Sequence, residues 1–286
     1  LKYGSIAIVF LVVSFFLGQG AAYIINIPTV DIEKLDKYTA KGNPYAHHDL
    51  PITENDNLVM VYINEAEISA QWRAVSSIPY TDSAANGVPI NVALIRYMSA
   101  LGLRKDAADF KNLTQEDIRK IEKGATSPDN KSQLTARMES FRNQYALYKN
   151  GGNSDGSSLF QRLEHWKAAS HIIKNNFWIG VGTGDVQNVF DDTYKVLKTQ
   201  LSKEYWYRSH NQFITFFVSF GIFGFLVFLV LWLVVFKKVI ETNNWIGLAF
   251  TLVAFASFLP EDTLETQQGV TFVGFFLGFL PFLRDK

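Results

Sequence analysis

The stretch Phe213-Ile-Thr-Phe-Phe-Val-Ser-Phe-Gly221-Ile-Phe-Gly224-Phe-Leu-Val-Phe228-Leu-Val-Leu-Trp232-Leu-Val-Val-Phe236 carries no charged residue and is apolar on every helical face. A hydrocarbon layer of roughly 30 Å requires about 20 such residues in helical form, and a helix with no polar side has no soluble face. Three other uncharged runs accompany it: Ser5 to Val30, Thr242 to Pro260 and Thr266 to Leu283. Within Thr242 to Pro260 the strongly apolar part, Trp245 to Leu259, is nearer the length of a buried or re-entrant helix. The sequence therefore predicts four membrane helices, over 1–27, 211–236, 245–260 and 266–283. A secretory signal peptide is the competing reading of the first run, which has only Lys2 before it and the small-residue stretch Gly18 to Ala22 behind it. Three further spans and a start at Leu1 in place of Met favour a piece of a longer polytopic protein.

The whole-chain charge hides this division. There are 27 Lys and Arg against 27 Asp and Glu in 286 residues. Ten of these 54 charged residues, Lys2, Lys237, Lys238, Glu241, Glu261, Asp262, Glu265, Arg284, Asp285 and Lys286, flank the apolar runs, and the remaining 44 lie between Asp31 and Arg208. Positive residues favour the cytoplasmic side, so Lys2, the 237–244 loop and the C-terminus are expected inside. Residues 28–210 are then extracytoplasmic. Their 22 basic and 22 acidic residues leave no net field to draw nucleic acid or an acidic lipid surface. The lack of Cys means only that no disulfide holds this region.

Residues 28–90 show turn signals at Asn43-Pro44 and Asn86-Gly87 and a strand-like run from Asn57 to Ile63, without a helical period. Asn91 to Leu103 has a helical stripe of Val92, Ile95, Met98 and Leu101. Thr114-Gln-Glu-Asp117 reads as a capping box opening a helix that Gly124 closes. Ser132 to Tyr148 repeats the helical spacing with Leu134, Met138, Phe141 and Tyr145. Asn150 to Gly156 reads as a flexible linker, giving an insertion over 28–156 and a separate helical segment over 157–210.

That second segment is the more specific. A helix capped by Ser157 or Ser158 is expected to run to about Lys174, with Leu159, Leu163, Trp166 and Ile173 on one stripe and Ser170 on the same face. At about 100° per residue Arg162 stands about 60° from Leu159 and about 40° from Trp166, at the stripe's edge, so it either snorkels or meets an anion. Phe177-Trp-Ile-Gly180-Val-Gly182-Thr-Gly184-Asp185 is a hydrophobic entry into a Gly-x-Gly-x-Gly turn, with Asp185 placed to cap a helix from Val186 to about Lys198. Successive glycine N–H groups can converge on an anion, or the turn can simply let two helices pack. Tyr205-Trp-Tyr-Arg208-Ser-His210-Asn211 matches an interfacial aromatic belt and puts Arg208 and His210 at headgroup depth, where a histidine can act as acid or base near neutral pH. Of the histidines, His165 and His171 point about 120° apart on their helix, and His47-His48 lacks a partner pattern, so no metal site is expected. No phosphate-binding loop, Gly-x-Ser-x-Gly elbow or cysteine nucleophile occurs.

Taken in order, three matches make residues 157–283 resemble the C-terminal half of the bacterial O-antigen ligase and polymerase superfamily. The first is Ser158-Leu-Phe-Gln-Arg162-Leu-Glu-His-Trp166 with Gly180-Val-Gly182-Thr-Gly184. The second is His210-Asn211, nine residues, then Gly221-Ile-Phe-Gly224. The third is Glu261-Asp-Thr-Leu-Glu265-Thr-Gln-Gln-Gly269. The family usually has ten or more spans and a smaller outside insertion. The resemblance implies a fold that is mainly α: polytopic membrane helices with a large extracytoplasmic, mostly helical insertion.

It also implies a multi-pass glycosyltransferase of the bacterial inner membrane that moves a glycan from undecaprenyl pyrophosphate to a hydroxyl of lipid A core, another glycan or a protein, without metal or cofactor. Arg162, then Arg208, would hold the pyrophosphate, and His210 would act as general base or orient the phosphate. Asn211, Trp166, Gly180, Gly182 and Gly184 would line the substrate site, Glu261 and Glu265 would bind acceptor, and Gly221 and Gly224 would serve packing. Polymerisation of repeat units, or a sensor or binding module without chemistry, are the alternatives.

Overall fold

The computed structural model describes residues 18–129 and 131–279. Most of the first expected span, and the cationic Lys2, Arg284 and Lys286, lie outside these residues; residues 18–25 are helical (α1). The described chain is mainly helical and divides into two compact units, Leu1–Gly152 and Asn153–Lys286.

After α1 the first unit carries a short antiparallel hairpin, β1 (Thr53–Glu54) and β2 (Asn57–Leu58). Its two turn residues, Asn55 and Asp56, both have positive φ, at 49° and 62°, the geometry of a tight hairpin turn that Asn and Asp tolerate. Helices α2 (Glu65–Val75), α3 (Ile90–Ala100), α4 (Ala107–Phe110), α5 (Gln115–Glu122) and α6 (Gln133–Lys149) follow. One core joins Ile68 and Trp72 of α2, Ile90, Leu94, Tyr97 and Met98 of α3, and Phe110, Ile118 and Ile121.

Several expectations change here. The run from Asn57 to Ile63 pairs as a strand only over its first two residues; Tyr62 turns left-handed, and Ile63 makes isolated bridges to Ala46 and Lys105. Helix α2 lies where no helical period was visible, because two apolar residues, Ile68 and Trp72, suffice to bury it while Asn64 caps it by accepting from Glu67 N–H. On α3 the expected stripe is rotated: Val92 and Leu101 are exposed, and Ile90, Ala93, Leu94, Tyr97 and Met98 are buried. The Thr114–Asp117 capping box forms with both reciprocal bonds, and Gly124, at φ +83°, follows the helix end.

Helix α6 departs most from its apolar pattern. Leu134 is exposed, and the buried face holds Glu139, Arg142 and Ala146. Lys131 bridges Glu54 and Glu139, Arg96 pairs with Glu54 at 2.6 Å, and Asn143 bonds both the N–H and the C=O of Thr53. The helix thus docks onto β1 through hydrogen bonds and ion pairs.

In the second unit α7 (Ser158–Asn175) and α8 (Val186–Leu197) pack beside the first part of α9 (Gln212–Glu241), and α10 (Trp245–Ser257) and α11 (Gln267–Phe279) follow. Ala168, Ala169, Ile172, Val186, Phe190, Tyr194 and Val218 form one core, and Phe228, Trp232, Ala254, Phe258 and Val273 another. The buried face of α7 is set by Phe160, Ala168, Ala169 and Ile172, and Leu159 is exposed. Ser157 and Asp185 occupy the cap positions of α7 and α8, but neither side chain makes a capping bond.

Among the described residues α9 is the one helix long and apolar enough to cross a membrane, with mean hydropathy 2.7 over its most apolar window. Helix α10 has 13 residues, about 20 Å at 1.5 Å per residue, short of a full crossing; α11 is described over 13 residues, to Phe279.

Candidate functional site

Two segments distant in sequence meet where α9 begins. Asn211 caps the helix by accepting from Ile214 N–H at 3.1 Å, and its side-chain amide donates to Leu259 C=O at 2.9 Å. Gln212, fully buried, donates its backbone N–H to Phe258 C=O and accepts from Leu264 N–H at 2.6 Å. Asp262 completes the join. Its carboxylate accepts from the backbone N–H groups of His210 (3.1 Å) and Asn211 (3.0 Å) and from the Thr215 hydroxyl (2.8 Å). His210 has φ +49°, a left-handed conformation that costs a non-glycine residue about 1 kcal/mol or more; the Asp262 bonds offset that strain.

This frame holds the turn Thr263–Glu265 against the residues preceding α9, and three side chains meet its carboxylates. Arg162 of α7 pairs with Glu261 Oε1 at 3.2 Å, Arg208 pairs with Glu265 at 2.6 Å, and His210 Nδ1 lies 3.5 Å from Glu261 Oε2. All three side chains are partly exposed. At the edge of its stripe Arg162 makes a salt bridge within the chain, to Glu261. Trp166, one turn further along α7, donates its indole N–H to Ser209 C=O at 2.9 Å and ties that helix to the 208–211 segment.

Beneath His210 lies a histidine with no exposed surface. His165 places Nε2 3.1 Å from Tyr205 C=O, leaves Nδ1 without a partner, and sets its ring 5.4 Å from the His210 ring. Tyr194 and Tyr207 pack edge-on against it. Burial, reinforced by the nearby His210 and Arg162, pushes the His165 pKa down to about 4, so the ring is neutral at physiological pH.

The structure thus brings Arg162, His210 and Glu261 into one cluster, sets Arg208 with Glu265 on the same turn, and gives Asn211 and Trp166 framing bonds. Gly180 and Gly182 go elsewhere. Gly180 N–H donates to Asn176 C=O, Val181 N–H to Val218 C=O and Gly182 N–H to Ser219 C=O, at 2.9 to 3.0 Å. These donors are taken by carbonyls, so this part of the turn packs against α9, the second of the two roles that the glycine spacing offered; a Cβ on Gly184, at the turn's end, would meet no atom within 4 Å.

The reason lies in α9, which breaks at Gly221 (φ 64°, ψ −168°). The break frees backbone groups that the turn takes up, and Ile222 N–H donates in return to Phe177 C=O at 2.8 Å. A Cβ on Gly180 would lie 2.5 Å from Ser219 backbone, and one on Gly221 2.4 Å from Trp178 backbone. Two glycine motifs separate in sequence are therefore two halves of one contact.

The sequence does little to single out Asp262, Gln212, Ser209 or, beyond its spacing from His171, His165. The available signals are the place of Asp262 between Glu261 and Glu265 and the helical spacing of His165 from Ala168, Ala169 and Ile172. Among the described residues no group of three or more His, Asp or Glu side chains has the geometry to hold a metal ion.

Residues 125–229 match the family model described as O-antigen ligase. The match bears out the resemblance read from Arg162, Trp166, His210 and the glycine spacing, and it implies an activity of the O-antigen ligase or polymerase kind in a family of membrane proteins. It covers just over a third of the chain, from before α6 to the middle of α9, and leaves Glu261, Asp262 and Glu265 outside. No curated protein and no solved structure matches the chain.

Proposed function

We propose, proceeding from the O-antigen ligase match of residues 125–229, that the chain transfers a glycan from undecaprenyl pyrophosphate to an acceptor hydroxyl at the outer face of a bacterial inner membrane. The observation that carries this reading is the convergence of Arg162 and His210 on one carboxylate, Glu261, at the head of the apolar helix α9. With Lys237 and Lys238 at the far end of that helix, the positive-inside bias puts the cluster on the outside.

The leaving group is the lipid pyrophosphate, and negative charge grows on its bridging oxygen as the C1–O bond breaks. Arg162 and Arg208 follow that charge by exchanging their carboxylate partners for phosphate oxygens, which a guanidinium fork can grip bidentately. The acceptor hydroxyl oxygen forms the new bond to C1 and its proton passes to the free ring nitrogen of His210. Glu261, facing Nδ1, fixes the tautomer and stabilises the imidazolium that results. The electron pair of the broken bond leaves with undecaprenyl pyrophosphate. His165, neutral beneath the ring, adds no second positive charge that would oppose protonation.

The test is glycan transfer by the full chain in membranes, with an undecaprenyl-pyrophosphate donor and with lipid A core, glycan and protein acceptors offered in parallel. His210→Ala is expected to lower transfer by about a hundredfold or more with membrane insertion intact. Arg162→Lys, which keeps charge but loses the fork, is expected to lower it by about tenfold or more. Undiminished transfer by His210→Ala would overturn the proposal.

A further inference from the structure

We infer that the tip of the α7–α8 turn, Phe177-Trp178-Ile179, is inserted among the acyl chains of the outer leaflet as a wedge clamped to the break in α9. The inference rests on the reading of α9 as a membrane span.

Depth is the first argument. Gly221 lies about 15 residues from the Phe236 end of the apolar run, or about 23 Å of a roughly 30 Å layer at 1.5 Å per residue. The clamp is therefore within the outer leaflet. The tip is held there by backbone bonds from Val181 and Gly182 to Val218 and Ser219 and from Ile222 to Phe177, and by glycines whose backbones touch, so it cannot swing away without exposing those groups. In hydrocarbon a broken helix must have its freed N–H and C=O groups satisfied by protein, which this turn does.

Chemistry is the second. Phe177, Trp178 and Ile179 are 41%, 64% and 78% exposed, and no charged residue occurs between Lys174 and Asp185. The Trp178 ring lies 5.8 Å from that of Phe223, itself 59% exposed. The apolar surface of the tip thus runs without interruption into the exposed face of α9 at Phe223, Leu226, Val227 and Val230, the face that meets lipid if the helix spans. A continuous apolar patch of this kind marks a membrane or partner surface, and a Trp suits the boundary between headgroups and hydrocarbon. Since α7 rises from this tip to Arg162, an anchored tip fixes the height of the Arg162–His210 cluster above the hydrocarbon.

The chain contains no Cys, so Ile179→Cys, Lys203→Cys and Val230→Cys each provide one spin-label site in the full chain, reconstituted in vesicles of phosphatidylcholine and phosphatidylglycerol. Collision with oxygen, which concentrates in hydrocarbon, is compared with collision with a water-soluble nickel chelate. Oxygen is expected to dominate at 179 and 230, and nickel at 203. Nickel dominance at 179 with oxygen dominance at 230 overturns the wedge while leaving α9 in the membrane. Exclusion of both reagents at 179 also overturns it, since protein then covers the tip. Nickel dominance at 230 overturns the membrane reading of α9 and the wedge with it.

Discussion

His165 ties folding to acidity. The unfolded chain takes up a proton on this ring near pH 6.5, whereas the folded chain does so only at about 4. Between those values the unfolded state binds more protons, so stability rises with pH and is lost on acidification, by up to roughly 3 kcal/mol from this group. His165→Phe is expected to flatten that stretch of the stability curve, read as the gap between thermal midpoints at pH 7 and pH 5; an unchanged gap excludes this residue as its cause. Glu261 behaves differently because its pairs are half in water. Glu261→Gln should change stability by less than about 1 kcal/mol while lowering glycan transfer, since His210 loses the carboxylate facing Nδ1. Equal transfer by the two proteins would remove Glu261 from the proposed chemistry.

At the scale of elements the turn between α7 and α8 makes a graded prediction. Gly180→Ala and Gly221→Ala place a Cβ against backbone at left-handed φ and should each cost more than about 2 kcal/mol, seen as faster proteolysis between Asn176 and Asp185. Gly182→Ala meets no atom within 4 Å but keeps φ +81°, so about 1 kcal/mol is expected. Gly184→Ala, with open space and ordinary φ, should be silent. In the first unit Glu139→Ala removes a buried partner of Lys131 and is expected to lower stability by about 3 kcal/mol, measured by thermal unfolding.

These same elements mark what the sequence made legible. The Thr114–Asp117 box and the apolar run of α9 are local patterns and were readable. The faces of α3 and α6 were not, because the partner decides which side is buried: β1 presents Glu54 and Thr53 backbone to α6, so Glu139 and Asn143 face inward where Leu134 was expected. Arg162, His210 and Glu261 could be singled out as candidates by residue type and motif. Their meeting was not legible, since Asp262, which brings the turn to His210, acts across some fifty positions of chain.

At the scale of the whole molecule the balanced net charge separates into a charge-rich stretch and uncharged runs around α9, α10 and α11. The membrane reading predicts that alkaline carbonate leaves the chain in the membrane pellet. Protease added from the extracytoplasmic side should then cut near the exposed Asn150-Gly151 turn; cleavage only from the cytoplasmic side contradicts the orientation.

The join between Asn211–Gln212 and Phe258–Leu264 has a consequence for biogenesis. Arg162, Arg208 and His210 are all synthesised before α9, but the carboxylates that orient them arrive only after α10 has turned back alongside it. A nascent chain halted at residue 241 would carry Arg162, Arg208 and His210 and neither of the carboxylates they meet. On the proposed mechanism, competence is therefore acquired late, as the closing act of helix pairing.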